Sequence, residues 1–239
     1  MQYVGGKYRI RKQLVDFLLN YITDNEASCF VEPFVGSINV TNNLLEDSPL
    51  FVPNKIILND IHTDLIMMWK AIVYEGWEPP SSCTIEEYEA LRNAESSALR
   101  GFIGHSCSFS GMWFDTFAKS GDRNYCLNGK NSVISTGENL KWFNNSGREI
   151  LFYNLSYEQL EIPNGSLVYC DPPYFNTRKV GADKNFNHEK FWQWIRKLSK
   201  NNTVFVSEYV APEDFECVLE IDVKLDLNQI SRKEKLFTC

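Results

Sequence analysis

Residues 28–37 read SCFVEPFVGS, an apolar run that ends in an acid, a proline and a glycine. A short apolar run bounded by turn residues predicts a buried strand, here at 28–31, followed by a helix near 38–46. The next run, Lys55–Leu58, ends in Asn59-Asp60 and precedes an amphipathic pattern at 62–74. Because strands alternate with helices, we expect an α/β fold with a doubly wound, mostly parallel sheet.

Patterns of the same two kinds surround this segment. Apolar positions at helical spacing predict a first helix at about 8–22. Further strands are expected at 150–153, 166–170, 203–207, 218–226 and 235–237, with a helix at about 188–200. The alternation therefore extends to the end of the sequence.

The alternation is interrupted between residues 79 and 149. A helix is expected at 84–100, followed by a stretch rich in Gly, Ser and aromatic residues. The piece NYCLNGKNSVIS, 124–135, predicts a β-hairpin, because Asn128-Gly129 is a favoured two-residue turn. We interpret 79–149 as an inserted smaller subdomain, with 1–78 and 150–239 forming the main domain.

Composition limits the class of protein. The chain has 239 residues, 44% hydrophobic and 23% charged, which suits one large α/β domain with an insert. No stretch of 18 apolar residues and no secretory pattern is present, so we expect a cytoplasmic protein without membrane contact. The seven cysteines form no C-x-x-C pair and there are three histidines, so no metal site is expected.

The net charge of −7 argues against a nucleic-acid partner, since duplex binding depends on Lys and Arg replacing counterions. The charges are unevenly distributed, however. Acidic residues concentrate at 75–95 and 208–226, and basic residues form separate clusters. One of these clusters contains Lys119, Arg123 and Lys130 and is a candidate DNA contact.

Three polar loops follow predicted strands: EPFVGS, LND and CDPPY. In doubly wound sheets the first such turn binds a nucleoside-type cofactor, and an acid after the second strand takes the ribose hydroxyls. Asp60 lies 24 residues beyond Gly36, near the usual spacing. Only one glycine is present and no phosphate-loop lysine follows it, so a nucleoside without phosphates fits better than a dinucleotide.

These motifs together resemble a known family. YVGGKYR at 3–9, EPFVGS at 32–37 and DPPY at 171–174, in that order, are similar to the Dam-like (D12, α-order) DNA adenine-N6 methyltransferases. FIGHSCSFSG, FNHEKFW, TVFVSEY and SRKEKLF also look like segments of this family. The resemblance implies a Rossmann-like methyltransferase fold, a target-recognition insert and S-adenosyl-L-methionine as cofactor.

The resemblance also implies roles for individual residues. Gly5, Gly6 and Lys7 would close over the cofactor and the target base, Glu32, Phe34 and Gly36 would line the methionine end, Asp60 would hold the ribose and Asn154 the cofactor adenine. Tyr3 and Asp171 complete the expected cofactor-binding set. The expected catalytic residues are Asp171, Pro172, Pro173 and Tyr174, which would hold a flipped adenine.

The chemistry of adenine agrees with this assignment. The lone pair of its amino group is delocalised into the ring, so the nitrogen is a poor nucleophile. A carboxylate at Asp171 and the carbonyl of Pro172 can accept its two N–H hydrogens and free the lone pair for attack on a methyl donor. Tyr174 offers a stacking face that replaces one lost when the base leaves the helix.

One motif departs from the family pattern. The first loop usually reads EPFxGGGS or close to it, whereas Gly36 is followed here by Ser37, Ile38 and Asn39. A non-catalytic DNA-binding or regulatory homologue with weakened cofactor binding is therefore one alternative. A second is an amine methyltransferase acting on RNA or on protein glutamine. The expected partner is double-stranded DNA, bound by a monomer or weak dimer, and a role in phage evasion, restriction protection or replication marking stays open.

Overall fold

In the computed structural model, the described residues are 1, 3, 6, 7, 10–119, 123–175, 186–224 and 231–239. Their strands are β1 (Phe30–Glu32), β2 (Lys55–Asn59), β3 (Glu149–Tyr153), β4 (Leu167–Cys170), β5 (Thr203–Glu208), β6 (Glu216–Lys224) and β7 (Ser231–Thr238). These form one sheet in the order β3-β2-β1-β4-β5-β7-β6. The first five strands in this order are parallel, and β7 pairs antiparallel with both β5 and β6.

The helices of the described residues are α1 (Arg11–Asn25), α2 (Asn39–Asp47), α3 (Thr63–Lys70), α4 (Ile85–Arg92), α5 (Ala98–Ser106), α6 (Tyr125–Asn145) and α7 (His188–Leu198). A π-helical turn, Ala71–Glu75, extends α3. The helices cover both faces of the sheet. The predicted doubly wound, mostly parallel α/β fold is therefore confirmed.

Strand residues alternate between two cores because successive side chains point to opposite faces. Phe30 and Tyr169 belong to the larger cluster, which they share with the apolar side of α1. Val31, which follows Phe30, and Val168, which precedes Tyr169, belong to the second cluster, together with Phe191 of α7. Every residue of β1 and β4 is buried, as expected for central parallel strands covered on both faces.

The hairpin predicted at 124–135 is wrong, because these residues begin the long helix α6. Asn124 caps the helix by accepting a hydrogen bond from the Leu127 amide at 2.9 Å. Gly129 is a packing residue, since a Cβ there would lie 2.5 Å from Ser106 Oγ in α5. The buried residues Cys126, Gly129, Val133, Thr136, Leu140 and Phe143 follow a helical spacing that outweighs the Asn-Gly signal.

The single helix predicted at 84–100 is wrong in extent, because it is divided into α4 and α5. Ser97 caps α5 by accepting from the Arg100 amide, and its own amide donates to Asp64 at 2.8 Å. Gly101 lets α5 approach α3, since a Cβ there would lie 2.2 Å from the Asp64 carbonyl oxygen. Tyr88, Phe102 and Leu140 share the larger core cluster with the sheet. The division into a domain and an insert at 79–149 stays a prediction.

Candidate active site

A cavity of about 970 Å³ opens at the carboxyl edge of the sheet, where the loops after β1, β2 and β4 meet. Glu32, Asp60 and Asp171, which lie at or just after the ends of these strands, all line it. The strand order reverses between β1 and β4, the position where doubly wound sheets place their ligands. The three predicted loops are therefore brought together.

Asp60 joins the first two loops. One carboxylate oxygen accepts a hydrogen bond from the Gly36 amide and the other from the His62 amide, both at 2.9 Å. His62 is the N-cap of α3, so Asp60 fixes the turn that precedes the helix without capping it. Burial raises the pKa of Asp60, and these backbone donors oppose that rise.

Asn59 and Asn154 join the third loop to this arrangement. The Asn59 amide group donates to the carbonyls of Pro33 and Leu155, each at 3.0 Å, and its oxygen accepts from the Leu155 amide. Asn154 is exposed and donates from its side chain to the Asp60 carbonyl at 2.8 Å. Leu155 and Ser156 line the cavity, whereas Asn154 supports its wall. Its predicted contact with a cofactor adenine stays a prediction.

Glu32 is a buried acid, 3% exposed, at the end of β1. Its Oε1 has no hydrogen-bond partner among the residues that the structure describes. Burial raises the pKa of Glu32 to about 8, and the charge of Asp171 adds to that rise. A carboxyl group in this condition is prepared to receive a hydrogen-bond donor or a cation from a ligand in the cavity.

The loop after β1 keeps a glycine-type backbone despite its changed sequence. Gly36 has φ +48° and Ile38 has φ 56°, ψ 30°, so a fully buried, β-branched residue occupies the left-handed region. That conformation costs roughly 1–2 kcal/mol for a residue with a side chain. The tight turn that glycines usually allow is thus retained at Ile38 with strain.

Tyr3 and Gly6 close one side of this loop. A Cβ on Gly36 would lie 2.8 Å from Cε1 of Tyr3, and one on Gly6 would lie 2.9 Å from Asn39 Nδ2. Both predicted residues line the cavity. Gly5 was assigned to the same role but lies outside the described residues.

Asp171 is held by Lys7. The Lys7 Nζ lies 2.7 Å from Asp171 Oδ1 and 3.9 Å from Glu234 Oε2, and the lysine side chain is buried. Burial raises the pKa of Asp171, while the Lys7 charge and hydrogen bond lower it. The lysine therefore favours the ionised carboxylate at this edge of the cavity.

Tyr174 is enclosed by neighbours. Its hydroxyl donates to Glu234 Oε2 at 2.8 Å, and Lys7 Nζ lies 4.6 Å from the centre of its ring. The ring of Tyr209 meets it edge-on, with centroids 4.8 Å apart. Pro172 and Pro173 also line the cavity, so all four predicted catalytic residues border it.

Glu208 and Glu234 were not among the predicted site residues, although both lie in the family-like segments TVFVSEY and SRKEKLF. Glu208 ends β5 and accepts hydrogen bonds from the amides of Phe175 and Tyr209, at 2.8 and 2.7 Å. Burial raises the pKa of Glu208 to about 7. The antiparallel pairing of β7 with β5 brings Glu234 to the site, and no local sequence pattern predicts that pairing.

Aromatic rings line the cavity beside the loops after β1 and β2. Phe34 packs against Tyr157 and Phe186, with centroids 5.5 and 5.9 Å apart. The rings of His62 and His105 contact that of Trp113, with centroids 4.2 and 4.8 Å away. Burial lowers the pKa of His105 to about 3, so its ring is neutral and its Nδ1 donates to the Gly111 carbonyl at 3.1 Å.

The three predicted DNA contacts are separated from this cavity. Lys119 and Arg123 line a second cavity of about 390 Å³ beside the start of α6. Lys130 pairs with Glu78 at 3.2 Å, which reduces the charge it can offer to a phosphate. Their contact with DNA stays a prediction.

The described ranges contain neither a candidate membrane-spanning helix nor a candidate metal-binding cluster. None of their helices combines the length and apolar character needed to cross a membrane. Within the same ranges, His, Cys, Asp and Glu side chains form no group of three or more that could hold a metal ion.

The sheet order and the cavity at its carboxyl edge define a doubly wound, Rossmann-like α/β fold. The model of the D12 class N6 adenine-specific DNA methyltransferase family matches residues 3–106. DNA adenine methylase of Salmonella typhi is 26% identical over 205 residues, covering 78% of this chain and 67% of that protein. DNA adenine methylase of Escherichia coli K12 is 26% identical over 206 residues with the same coverage. The resemblance to the Dam-like, D12-class family is confirmed.

Two solved structures are similar at low TM-score. A methylase from Haemophilus influenzae has a TM-score of 0.40 and 13% identity, covering 96% of this chain and 88% of that one. The tRNA (m1A58) methyltransferase TrmI from Aquifex aeolicus has a TM-score of 0.38 and 11% identity, covering 95% and 67%. The fold assignment rests on the strand order and not on these similarities.

Proposed function

We propose that this protein transfers a methyl group from S-adenosyl-L-methionine to the N6 amino group of an adenine flipped out of double-stranded DNA. The observation that carries the proposal is the single cavity lined by Glu32, Asp60 and Asp171. Two of these acids match the cofactor motifs of the family, and the third begins its DPPY motif. One cavity therefore has room and polar groups for both a nucleoside cofactor and a base.

The residues of the first two loops fit the cofactor. Glu32 Oε1, buried and without a partner in the described chain, suits the ammonium group of a methionine moiety. Asp60 borders the same cavity, and the Tyr3 ring lies against the Gly36 backbone at its edge. S-adenosyl-L-methionine supplies a methyl group on a positively charged sulfur, which already carries the driving force of transfer.

Asp171 and the Pro172 carbonyl accept hydrogen bonds from the adenine amino group. The prolines have no amide hydrogens, so this loop presents acceptors to the cavity. Burial raises the pKa of Asp171, and the Lys7 charge and hydrogen bond oppose that rise, which favours the ionised state required of an acceptor. After transfer, the nitrogen releases one proton, and a carboxylate 2.7 Å from a buried ammonium is a poor final holder, so the proton goes to solvent.

Tyr174 stacks with the flipped base once Lys7 has moved. The lysine now lies 4.6 Å from the centre of the ring. Stacking is worth about 1–3 kcal/mol per base, and unstacking a base from the duplex costs a few kcal/mol. Lys7 Nζ leaves the ring but stays within reach of Asp171, so the base gains the stacking face while the carboxylate keeps its countercharge.

Contacts with duplex DNA are assigned to the basic residues beside α6. Lys119 and Arg123 are both exposed and line the second cavity. Because the net charge is −7, we expect few phosphate contacts and an affinity that falls with salt. We propose a monomer or weak dimer as the active form.

The test measures methyl transfer from labelled S-adenosyl-L-methionine to three substrates: a duplex containing adenine, the same duplex with every adenine N6-methylated, and an RNA of the same sequence. We expect label in the first alone. Calorimetric titration with the cofactor is run in parallel. Transfer to RNA or to protein glutamine without transfer to DNA would contradict the substrate. Absence of cofactor binding at millimolar concentration would support the non-catalytic alternative.

A further inference from the structure

Two acids that the proposed mechanism does not use contact the segment after β4. Glu208 is the last residue of β5 and is 1% exposed, and Glu234 lies within β7. In the sheet, β5 pairs with β4 on one side and with β7 on the other. The loop that carries Asp171 and Tyr174 is therefore approached by side chains from two strands that follow it in the chain.

Glu208 holds the backbone at two places. Its Oε2 accepts a hydrogen bond from the Phe175 amide at 2.8 Å, and its Oε1 accepts one from the Tyr209 amide at 2.7 Å. Because Phe175 directly follows Tyr174, one carboxylate joins the end of the DPPY segment to the end of β5. Each of the two amides needs an acceptor oxygen, and a carboxylate provides two, whereas the side chain of glutamine provides only one.

The prolines of the DPPY segment make this attachment important for the loop. The ladder between β4 and β5 ends at the pair Cys170 and Val206. Pro172 and Pro173 have no amide hydrogens, so the backbone just beyond β4 cannot donate ladder hydrogen bonds at these two positions. The Phe175 amide is the point beyond the prolines at which Glu208 attaches the loop to β5 again.

Glu234 binds the hydroxyl groups of two tyrosines beside this attachment. The Tyr174 hydroxyl donates to its Oε2 at 2.8 Å, and the Tyr209 hydroxyl donates to its Oε1 at 3.3 Å. The two rings meet at 86° with their centroids 4.8 Å apart, the edge-to-face arrangement that aromatic pairs prefer. Both tyrosines and Glu234 line the large cavity. We call Tyr174 and Tyr209 the tyrosine pair.

The two acids carry an electrostatic cost. Burial raises the pKa of Glu208 to about 7, and the charges of Asp171 and Glu234 add to that rise. Burial also raises the pKa of Asp171, Lys7 lowers it, and the charge of Glu234 raises it again. Packing alone does not need these charges, because apolar side chains could fill the same space without desolvating an ion. What the carboxylates provide is the set of hydrogen bonds that they accept.

We propose that Glu208 and Glu234 are positioning residues that hold the tyrosine pair as a preformed wall for the flipped base, with Tyr209 as the second ring of that wall. This role rests on the proposed function. Glu208 fixes the backbone next to each tyrosine and Glu234 fixes their hydroxyls, so neither ring turns without breaking a hydrogen bond. A wall that is rigid before the base enters keeps the amino group of the base aligned with the methyl donor.

The attachment at Glu208 is tested without DNA or cofactor. Amide hydrogen exchange of Phe175 is measured by NMR on the full chain with labelled phenylalanine, at pH 8, above the pKa of Glu208 of about 7. Exchange should be about tenfold faster in Glu208→Gln, because a hydrogen bond to a charged group is lost. Glu213→Gln changes an exposed acid after β5 and should leave the exchange rate unchanged. Equal exchange in Glu208→Gln and the wild type would overturn the attachment.

The effect on transfer is measured in single turnover, with labelled S-adenosyl-L-methionine and a long duplex of mixed sequence at varied concentration. In Glu208→Gln the rate at saturating DNA should fall about tenfold, while the half-saturating DNA concentration and the cofactor affinity change little. A residue that only stabilises the fold would leave this rate unchanged below the melting temperature. An unchanged rate together with faster exchange at Phe175 would overturn the positioning role. Absence of transfer by the wild type would contradict the proposed function, and the exchange measurement would still report on the attachment.

The contacts of Glu234 are tested by variants that preserve the rings. Tyr209→Phe removes one hydroxyl, so the rate at saturating DNA should fall about fivefold, the effect of one lost hydrogen bond. Glu234→Met removes both acceptor oxygens, and adding Tyr209→Phe to it should cause no further loss, because both changes break the same contact. Tyr153→Phe, at an exposed tyrosine of β3, is the control and should keep the rate. Losses that multiply in the double variant would show that Glu234 does not act through Tyr209.

Discussion

The ends of β1 and β4 both carry a buried carboxyl group at the same edge of the sheet, but within the described ranges only the carboxyl group after β4 has a countercharge beside it. Glu32 Oε1 has no partner among the described residues, and the pKa of Glu32 rises to about 8. Asp171 has the Lys7 ammonium at 2.7 Å. Burial opposes ionisation in both places, so the lysine is what distinguishes them.

This difference favours different protonation states in the two acids at neutral pH. Glu32 is mostly protonated until a cationic ligand arrives, whereas Lys7 supports an ionised Asp171. A vacant acid suits binding of a cation, and a charged acid suits acceptance of hydrogen bonds from an amine. The following four variants test this contrast.

The largest effect on methyl transfer is expected at Asp171, the acid paired with Lys7. Asp171→Asn keeps the shape of the side chain but replaces one acceptor oxygen by a donor, which repels an amino hydrogen. Methyl transfer in single turnover should fall about 10²–10³-fold, while cofactor affinity measured by calorimetry changes little. Asp214→Asn, at an exposed acid paired with Arg196, is the control and should retain activity. Activity within threefold of wild type in Asp171→Asn would remove that residue from the mechanism.

Glu32, the acid without a countercharge, should control the affinity for the cofactor. Glu32→Gln should weaken S-adenosyl-L-methionine binding roughly thirtyfold, because hydrogen bonds to charged groups are worth about 1.5–3 kcal/mol. In the wild type, binding should release a proton below pH 8, seen as a dependence of the calorimetric heat on buffer ionisation enthalpy. The variant should lose that dependence. Retention of proton release in Glu32→Gln would assign it to another group.

The same variant has the opposite effect on the protein without ligand. Because the folded-state pKa of Glu32 is raised from 4.5 to about 8, its contribution to the free energy of unfolding is fully present below pH 4.5 and is lost as pH rises to 8. Glu32→Gln should flatten this decline, by an amount on the order of 3 kcal/mol at pH 8. Urea unfolding at pH 5 and pH 8 measures it.

Removal of the Lys7 charge should leave Asp171, like Glu32, buried without a countercharge. Lys7→Met leaves Asp171 buried without its ammonium, so the pKa of Asp171 rises further and the ionised fraction at pH 7 falls. Methyl transfer at pH 7 should drop about tenfold and recover as the pH is raised. Lys12→Met changes an exposed lysine of α1 and should leave the pH profile unchanged. An unaltered pH profile of methyl transfer in Lys7→Met would show that Lys7 does not control the ionisation of Asp171.

The smallest effect concerns the backbone of the β1 loop. Gly36→Ala places a Cβ 2.8 Å from the Tyr3 ring at φ +48°, while Gly147→Ala has φ +81° and nothing within 4 Å. Both pay the left-handed strain, and Gly36→Ala should cost about 1 kcal/mol more in the free energy of unfolding. Equal losses of unfolding free energy in the two variants would show that the Tyr3 ring moves aside at no cost. The Tyr3 ring would then not close the loop.

The sheet and its edge were predictable because the information is local. Buried strands appear as apolar runs, and polar residues at their ends mark the same edge of a parallel sheet. Asp60 and Asp171 could therefore be placed at the cavity from their positions after β2 and β4. Bounds differed by a few residues, as at α1, expected at 8–22 and found at Arg11–Asn25.

The segment between 79 and 149 was predicted less well because its signals conflict. Asn128-Gly129 favours a turn in isolation, but Gly129 packs against Ser106 inside a helix. Packing between helices decides such a position, and the packing partner is distant in sequence.

The sequence alone determined the parallel sheet, the order of its loops and the acids at the strand ends, because each follows from residues near one another in the chain. Tertiary structure decided which acid is paired. Lys7 and Glu234 lie at opposite ends of the chain, and pairing of β7 with β5 together with burial of Lys7 brings both to Asp171. Charge compensation depends on distance in space, which sequence neighbours do not report.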